Sequence, residues 1–255
     1  MLISHRHRFI FIHNRKAAGS SITAYLNRFM GPEDIQIGVW RDVIRHGGCY
    51  NRRILREVFS HDGLRAVGYY TRKLRLPHFS RFVERVQEYE YQPLLKTTNI
   101  AHPPAAAVRD AFPYEWTNYL KFCVVRNPFD KVVSDYEWMT RKLPPNRVTF
   151  TEFLERLADP GRPDPEGVVP QPRTNWPLYT INDEVVADFV CRFENLATDM
   201  KEVSSMAGIQ DGDGDIPQAK TGSRSAPYRS YFGERERSLV QQLSNLELSL
   251  FEYQF

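Results

Sequence analysis

Two short apolar runs constrain this chain more than any other feature. Arg8–His13 (RFIFIH) and Leu120–Val125 (LKFCVV) are rich in branched and aromatic residues, and each ends abruptly in polar ones. Runs of that kind read as strands buried on both faces. A helical stripe follows each. Ile22, Tyr25, Leu26 and Phe29 follow the first and stop at Gly31-Pro32; Val132, Val133, Tyr136 and Met139 follow the second. A third run, Asp188–Phe193 (DFVCRF), precedes a helix near Leu196–Met206, and Glu234–Phe251 closes the chain as a helix with a break near Ser244-Asn245. Strands alternating with helices predict an α/β protein with a central, mostly parallel sheet flanked by helices.

The intervening stretches carry weaker patterns. Residues 35–76 are less regular, basic and aromatic, with Gly47-Gly48 in the middle. Phe79, Phe82, Val83 and Val86 keep a helical stripe with Ser80 near its start. Five prolines and two glycines between Asp159 and Pro172 predict a loop. At 255 residues the chain is read as a single domain, 1–255, with an insertion at about 35–95 that shapes a binding pocket.

Composition narrows the partners. A net charge of +3 does not supply the concentrated basic face that nucleic acid requires, so no nucleic acid partner is expected, and it fits a small anionic ligand. Cys49, Cys123 and Cys191 are odd in number and far apart, which reads as free thiols in a reducing compartment. Cys123 and Cys191 fall in apolar runs and are expected to be packing residues. No apolar run approaches the roughly 18 residues of a membrane span. The first apolar run ends in His-Asn-Arg-Lys rather than at a small-residue cleavage site, so the expectation is a soluble, cytoplasmic protein.

The segment His13–Ser21 (HNRKAAGSS) lies beyond the carboxyl end of the first strand, where α/β sheets bind ligands. Loop N–H groups and a helix N-terminus there form an anion site. Gly19 removes a side chain where the backbone must approach the anion, Lys16 adds a mobile positive charge, and Ser20 and Ser21 add hydroxyl donors. The plainer alternative is an ordinary turn with an exposed lysine and a serine cap. The pattern is not that of the triphosphate loop, in which lysine directly follows glycine and a serine or threonine holds magnesium. Here Lys16 precedes Gly19 by three residues, and the second strand ends in Arg126 rather than a metal-holding aspartate. Arg126 suits bidentate phosphate recognition, and Ser134 falls early on the following helix. With its guanidinium toward the same crevice as Lys16, the expectation is one ligand with two separated anionic groups.

Taken together, FIHNRKAAGSS and VVRNPFDKVVSDY resemble the 5′-phosphosulfate loop and the 3′-phosphate motif of sulfotransferases that use 3′-phosphoadenosine 5′-phosphosulfate (PAPS). RFENLATDM and the late SRSAPYRSYF are similar to the carbohydrate-type, family 2-like subgroup. The resemblance covers the frame from about residue 8 to 255 and is weak between about 35 and 95. Asn14 and Arg15 stand where the subgroup usually has an apolar residue and proline, and Ala17 stands where it has threonine.

The resemblance implies a P-loop-like three-layer fold and PAPS as co-substrate, with no metal. It implies transfer to a hydroxyl, less readily an amine, of a carbohydrate, glycolipid or other small acceptor. The donor site would comprise Arg15, Lys16, Ala17, Ala18, Gly19, Ser20, Ser21, Arg126, Ser134, Ser223 and Arg224. Lys16 would stabilise the leaving group, and His102, in NIAHPPAAAVRDAF, would be the acceptor's base. His13 competes for that role, and a glutamate base stays open. A nucleotide kinase and a non-catalytic nucleotide-binding module are the alternatives. The Asp211–Asp215 run (DGDGD) lacks the glycine and final glutamate of a calcium loop and reads as a solvated turn. The cluster Arg65, Arg72, Lys73, Arg75, Arg81 and Arg85 reads as a solvated face, or as a surface for an acidic glycan or lipid headgroup, so peripheral membrane contact stays compatible with the sequence.

Overall fold

Both apolar runs form strands. The computed structural model describes residues 1–74, 76–210, 216–217 and 226–255. In chain order the elements are β1 (Leu2–Ser4), β2 (Phe9–Ile12), α1 (Gly19–Asn27), β3 (Ile35–Gln36), α2 (Trp40–Arg45), α3 (Arg52–Val58), α4 (His61–Arg72), α5 (Phe79–Leu95), α6 (Ala105–Ala111) and α7 (Pro113–Asn118). They continue with β4 (Leu120–Val125), α8 (Pro128–Thr140), α9 (Phe150–Ala158), α10 (Trp176–Tyr179), β5 (Thr180–Ile181), β6 (Glu184–Val185), β7 (Phe189–Arg192), α11 (Leu196–Met206), α12 (Glu234–Leu243) and α13 (Asn245–Leu250). The chain divides into two compact units, Met1–Val124 with Leu178–Lys220, and Val125–Pro177 with Thr221–Phe255.

The architecture is α/β, but the sheet is mixed where a mostly parallel one was expected. Its order is β3-β1-β2-β4-β7. β2 and β4 are parallel neighbours, with Phe9 opposite Leu120 and Ile12 opposite Cys123. β1 runs antiparallel to both β2 and β3. The reason lies at Asp34, a buried carboxylate. It accepts hydrogen bonds from Ser4 Oγ at 2.6 Å and from the backbone N–H groups of His5 (2.8 Å), Arg6 (3.1 Å) and Gly31 (2.8 Å). That single acceptor closes the β1–β2 hairpin and the approach to β3. Strands of three and two residues are too short to show a period in sequence.

The main core of the first unit packs Phe9, Phe11, Phe122 and Val124 against Ile22, Tyr25 and Leu26 of α1 and Met200 and Val203 of α11. Each large side chain removed from water there contributes about 1.5–3 kcal/mol. Cys123 and Cys191 are buried, as their apolar runs predict. Burial, followed by the charges of Asp199 and Glu202, pushes the Cys191 thiol up to about 12, so it packs rather than reacts.

Where the sequence reads as less regular, over residues 35–76, the chain forms α2, α3 and α4, and the stripe from Phe79 forms α5 as expected. Ser60 Oγ caps α4, accepting from the N–H groups of Asp62 and Gly63. Gly63 is required at the α3–α4 joint, because a Cβ there would lie 1.8 Å from the Val58 carbonyl oxygen. A buried polar network then ties α3 and α5 to the sheet edge. Tyr91 Oη donates to Glu57 Oε1 (2.7 Å), and Gln87 Nε2 donates to the carbonyl of Gln36 in β3 (2.6 Å). Trp40 Nε1 donates to Gln87 Oε1 (3.0 Å).

In the second unit, α8, α9 and α12 enclose Phe129, Val133, Phe153, Leu154 and Val240. The proline-rich stretch is a loop, as expected, and its Asp164 and Glu166 hold the buried Arg156 of α9 at 2.9 and 2.8 Å. The final helix breaks at Ser244, as the sequence predicts. Among the described residues no helix is long and apolar enough to cross a membrane.

Glu90 sits beside the Glu57 network. Burial, and then the charge of Glu57, push its carboxyl up to about 7 from 4.5. The folded protein therefore keeps a proton that the unfolded chain releases, and this group's contribution to stability falls as pH rises through that window. Glu90→Gln is expected to raise Tm at pH 8, with the advantage vanishing by pH 4.5. Thermal unfolding of both proteins across that range checks this; an unchanged or lowered Tm for the variant at pH 8 refutes it.

Candidate active site

The segment between β2 and α1 bends sharply. Lys16 and Ala18 both adopt φ 59°, the left-handed region. A non-glycine residue there costs about 1–2 kcal/mol. Such strain persists only where the surroundings fix it, and it concentrates at ligand sites. α1 starts with no side-chain cap and no acidic residue in its first turn. The partial positive charge of its N-terminus is therefore not offset by a carboxylate of its own. Lys16, Arg15 and Ser21 are half-buried around this turn and Ser20 is buried. The Ala17 methyl points into the core with Ile22 and Tyr25, leaving its backbone as the part that can meet a ligand.

Gly19 has an additional reason to be glycine beyond clearing room for an anion. A Cβ built on it would lie 1.7 Å from His13 Nε2 and 1.9 Å from His13 Cδ2. The His13 ring fills that space, stacked on Phe11 with ring centroids 5.7 Å apart. Next along the chain, buried Asn14 donates from Nδ2 to the Val124 carbonyl at 2.9 Å. That bond fixes the start of the loop to the carboxyl end of β4. Asn14 reads in sequence as a departure from the family loop; a polar side chain directly after a buried strand was the signal for a clamp.

His102 reaches the same place from 89 residues away. Its Nδ1 lies 2.7 Å from the His13 carbonyl oxygen, and the two rings meet edge to face at 4.6 Å. A carbonyl only accepts, so Nδ1 is the donor in this contact, which selects the tautomer whose other nitrogen, Nε2, is the basic one. Pro103 and Pro104 follow, and α6 begins at Ala105. The structure thus brings together His13, the Lys16 loop, Gly19 and His102 within the first unit.

In the second unit, Arg126 follows β4 directly. Asn127 caps α8 by accepting from the Phe129 N–H, and Pro128 takes the first helical position. The Arg126 guanidinium is held by Asp130, with Nη2 and Nε at 2.7 and 2.9 Å from Oδ2. Sequence reasoning assigned Arg126 to phosphate and missed this intramolecular carboxylate, although the four-residue spacing carried it. Ser134 is half-buried one turn beyond Asp130. Ser223, Arg224 and the Asp211–Asp215 run lie outside the described residues.

The His13–Gly19 packing yields a sharp test. Gly19→Ala is expected to destabilise the protein by about 1–3 kcal/mol, the usual cost of overpacking. In a His13→Ala background most of that cost should disappear, because the opposing ring is gone. Denaturant unfolding of the four proteins measures the coupling; equal costs in both backgrounds would show that the ring does not oppose the methyl.

A curated but uncharacterized protein of Archaeoglobus fulgidus is 32% identical over 98 residues, covering 36% of this chain and 71% of that protein. No solved structure matches. The family model described as "Sulfotransferase family" matches residues 1–254. From residue 1 to residue 254, then, the chain belongs to the sulfotransferase family.

Proposed function

We propose that this protein is a PAPS-dependent sulfotransferase acting on a hydroxyl, less readily an amine, of a carbohydrate, glycolipid or other small acceptor. PAPS supplies the sulfuryl group and departs as adenosine 3′,5′-bisphosphate. The observation that carries the reading is the His102 Nδ1 contact with the His13 carbonyl. The reading is supported by that contact together with the left-handed turn at Lys16 and Ala18 and the uncapped start of α1.

In this reading Lys16 opposes charge growing on the leaving phosphate oxygen, and backbone N–H groups of residues 17–21 with the Ser20 and Ser21 hydroxyls hold the 5′ end. Preorganisation of this kind supplies most of the rate in such group transfers. Arg126, oriented by Asp130, and Ser134 hold the 3′-phosphate. Ser223 and Arg224 belong to the same donor site on the family resemblance alone. His102 Nε2 takes the acceptor's proton as the acceptor oxygen attacks sulfur. Residues 35–95 shape the acceptor pocket.

Calorimetric titration with adenosine 3′,5′-bisphosphate tests the donor half. Lys16→Ala and Arg126→Ala are each expected to weaken binding at least about tenfold, the loss of a charge-assisted contact. His102→Ala should leave that affinity within about twofold yet lower acceptor-dependent transfer by roughly 10²–10⁴. Unchanged affinity in Lys16→Ala, or tighter binding of ATP with magnesium than of the bisphosphate, would overturn the assignment.

A further inference from the structure

The helices α4 and α5, joined by residues 73–78, bury one side and leave apolar residues on the other. Gly63 and Ala66 of α4 and Val83 and Val86 of α5 face inward. Leu64 is 71% exposed, Leu74 is 95% exposed, and Leu76 is fully exposed. An open apolar cleft of about 530 Å³ runs between the helices, lined by Val67, Tyr70, Leu74, Leu76, Pro77 and Phe82. Leucines presented together in this way mark an interaction surface rather than ordinary surface scatter.

Charge identifies the occupant. Residues 61–85 hold six lysines and arginines against two acids, Asp62 and Glu84, while the whole chain carries only +3. Asp62 engages Arg65 at 2.7 Å, and Glu88 engages Arg85. Arg72, Lys73 and Arg81 are exposed beside the leucines. Lys73 Nζ lies 4.7 Å over the Tyr69 ring. A second copy of the chain would bring these cations against one another. An anionic bilayer satisfies both components: hydrocarbon takes the leucines, and lipid phosphates take the guanidinium and ammonium groups.

We propose that the outer face of the α4–α5 hairpin docks on the surface of a bilayer containing anionic phospholipid, with Leu74 and Leu76 entering the headgroup boundary. The inference does not depend on the nature of the sulfuryl donor.

Co-sedimentation of the full chain with phosphatidylcholine vesicles, and with equimolar phosphatidylcholine and phosphatidylglycerol vesicles, tests it. Binding is expected on the mixed vesicles, weakened by high salt. It should fall at least about tenfold in a Leu74→Glu, Leu76→Glu variant and similarly in an Arg72→Glu, Lys73→Glu variant. All four side chains are exposed, so thermal melts of both variants should match the parent. The proposal is overturned by absence of the parent from the mixed-vesicle pellet, or by equal binding of parent and both variants. A concentration-dependent dimer that the same substitutions abolish, without vesicle binding, would assign the face to a second copy instead.

Discussion

The imidazole of His13 occupies the space left by the missing side chain of Gly19. Two features depend on that contact. It brings the first turn of α1 against the end of β2 more closely than any side chain at position 19 would permit. And because the ring is stacked on Phe11, the carbonyl of the same residue is held where His102 can donate to it. One residue therefore couples strand, helix and a distant histidine.

The electrostatics follow from the same geometry. A helix N-terminus carries partial positive charge only over its first turn, so its value to an anion depends on how the chain enters it. Here the entry residue, Ala18, has no side-chain oxygen with which to cap the helix, and the first turn holds no acid. The charge stays available, and Lys16 adds to it. In the second unit, by contrast, Arg126 is orientated by a carboxylate. A guanidinium in contact with Asp130 is a preorganised fork rather than a mobile charge. The two motifs thus differ physically, one a helix start left without an acid and the other a guanidinium held by a carboxylate.

What the sequence made legible follows the length of each signal. β2, β4, α8, α11 and the break at Ser244 all rest on runs or stripes of at least four residues with clean stops. β1 and β3 were not legible, because strands of three and two residues carry no period, and the mixed sheet followed from them. The acceptor that closes that hairpin, Asp34, is a lone aspartate in sequence; nothing local marks it as buried. At the site, the phosphate-type loop could be read from residue types, but the role of His13 could not, since it depends on a ring filling a gap six residues downstream. His102 was reached through family resemblance, and its contact with His13 is a long-range fact that periodicity cannot encode.

The helical segment between residues 40 and 95 shows why exposure there is not loose packing. Its inner side satisfies the backbone of a sheet edge, with Gln87 donating to the carbonyl of Gln36 where a further strand would otherwise pair. Asn27 donates to the Gln36 side chain (2.8 Å), so the edge is closed by amides from two helices. Buried polar bonds of this kind are costly to break singly, since each lost partner leaves a desolvated group behind. The inner side is thereby pinned by Gln87, Glu57, Tyr91 and Trp40, all buried. The apolar residues that α4 and α5 turn outward, Leu64 and Phe79 among them, therefore stand on helices whose inner side is tied to the sheet edge.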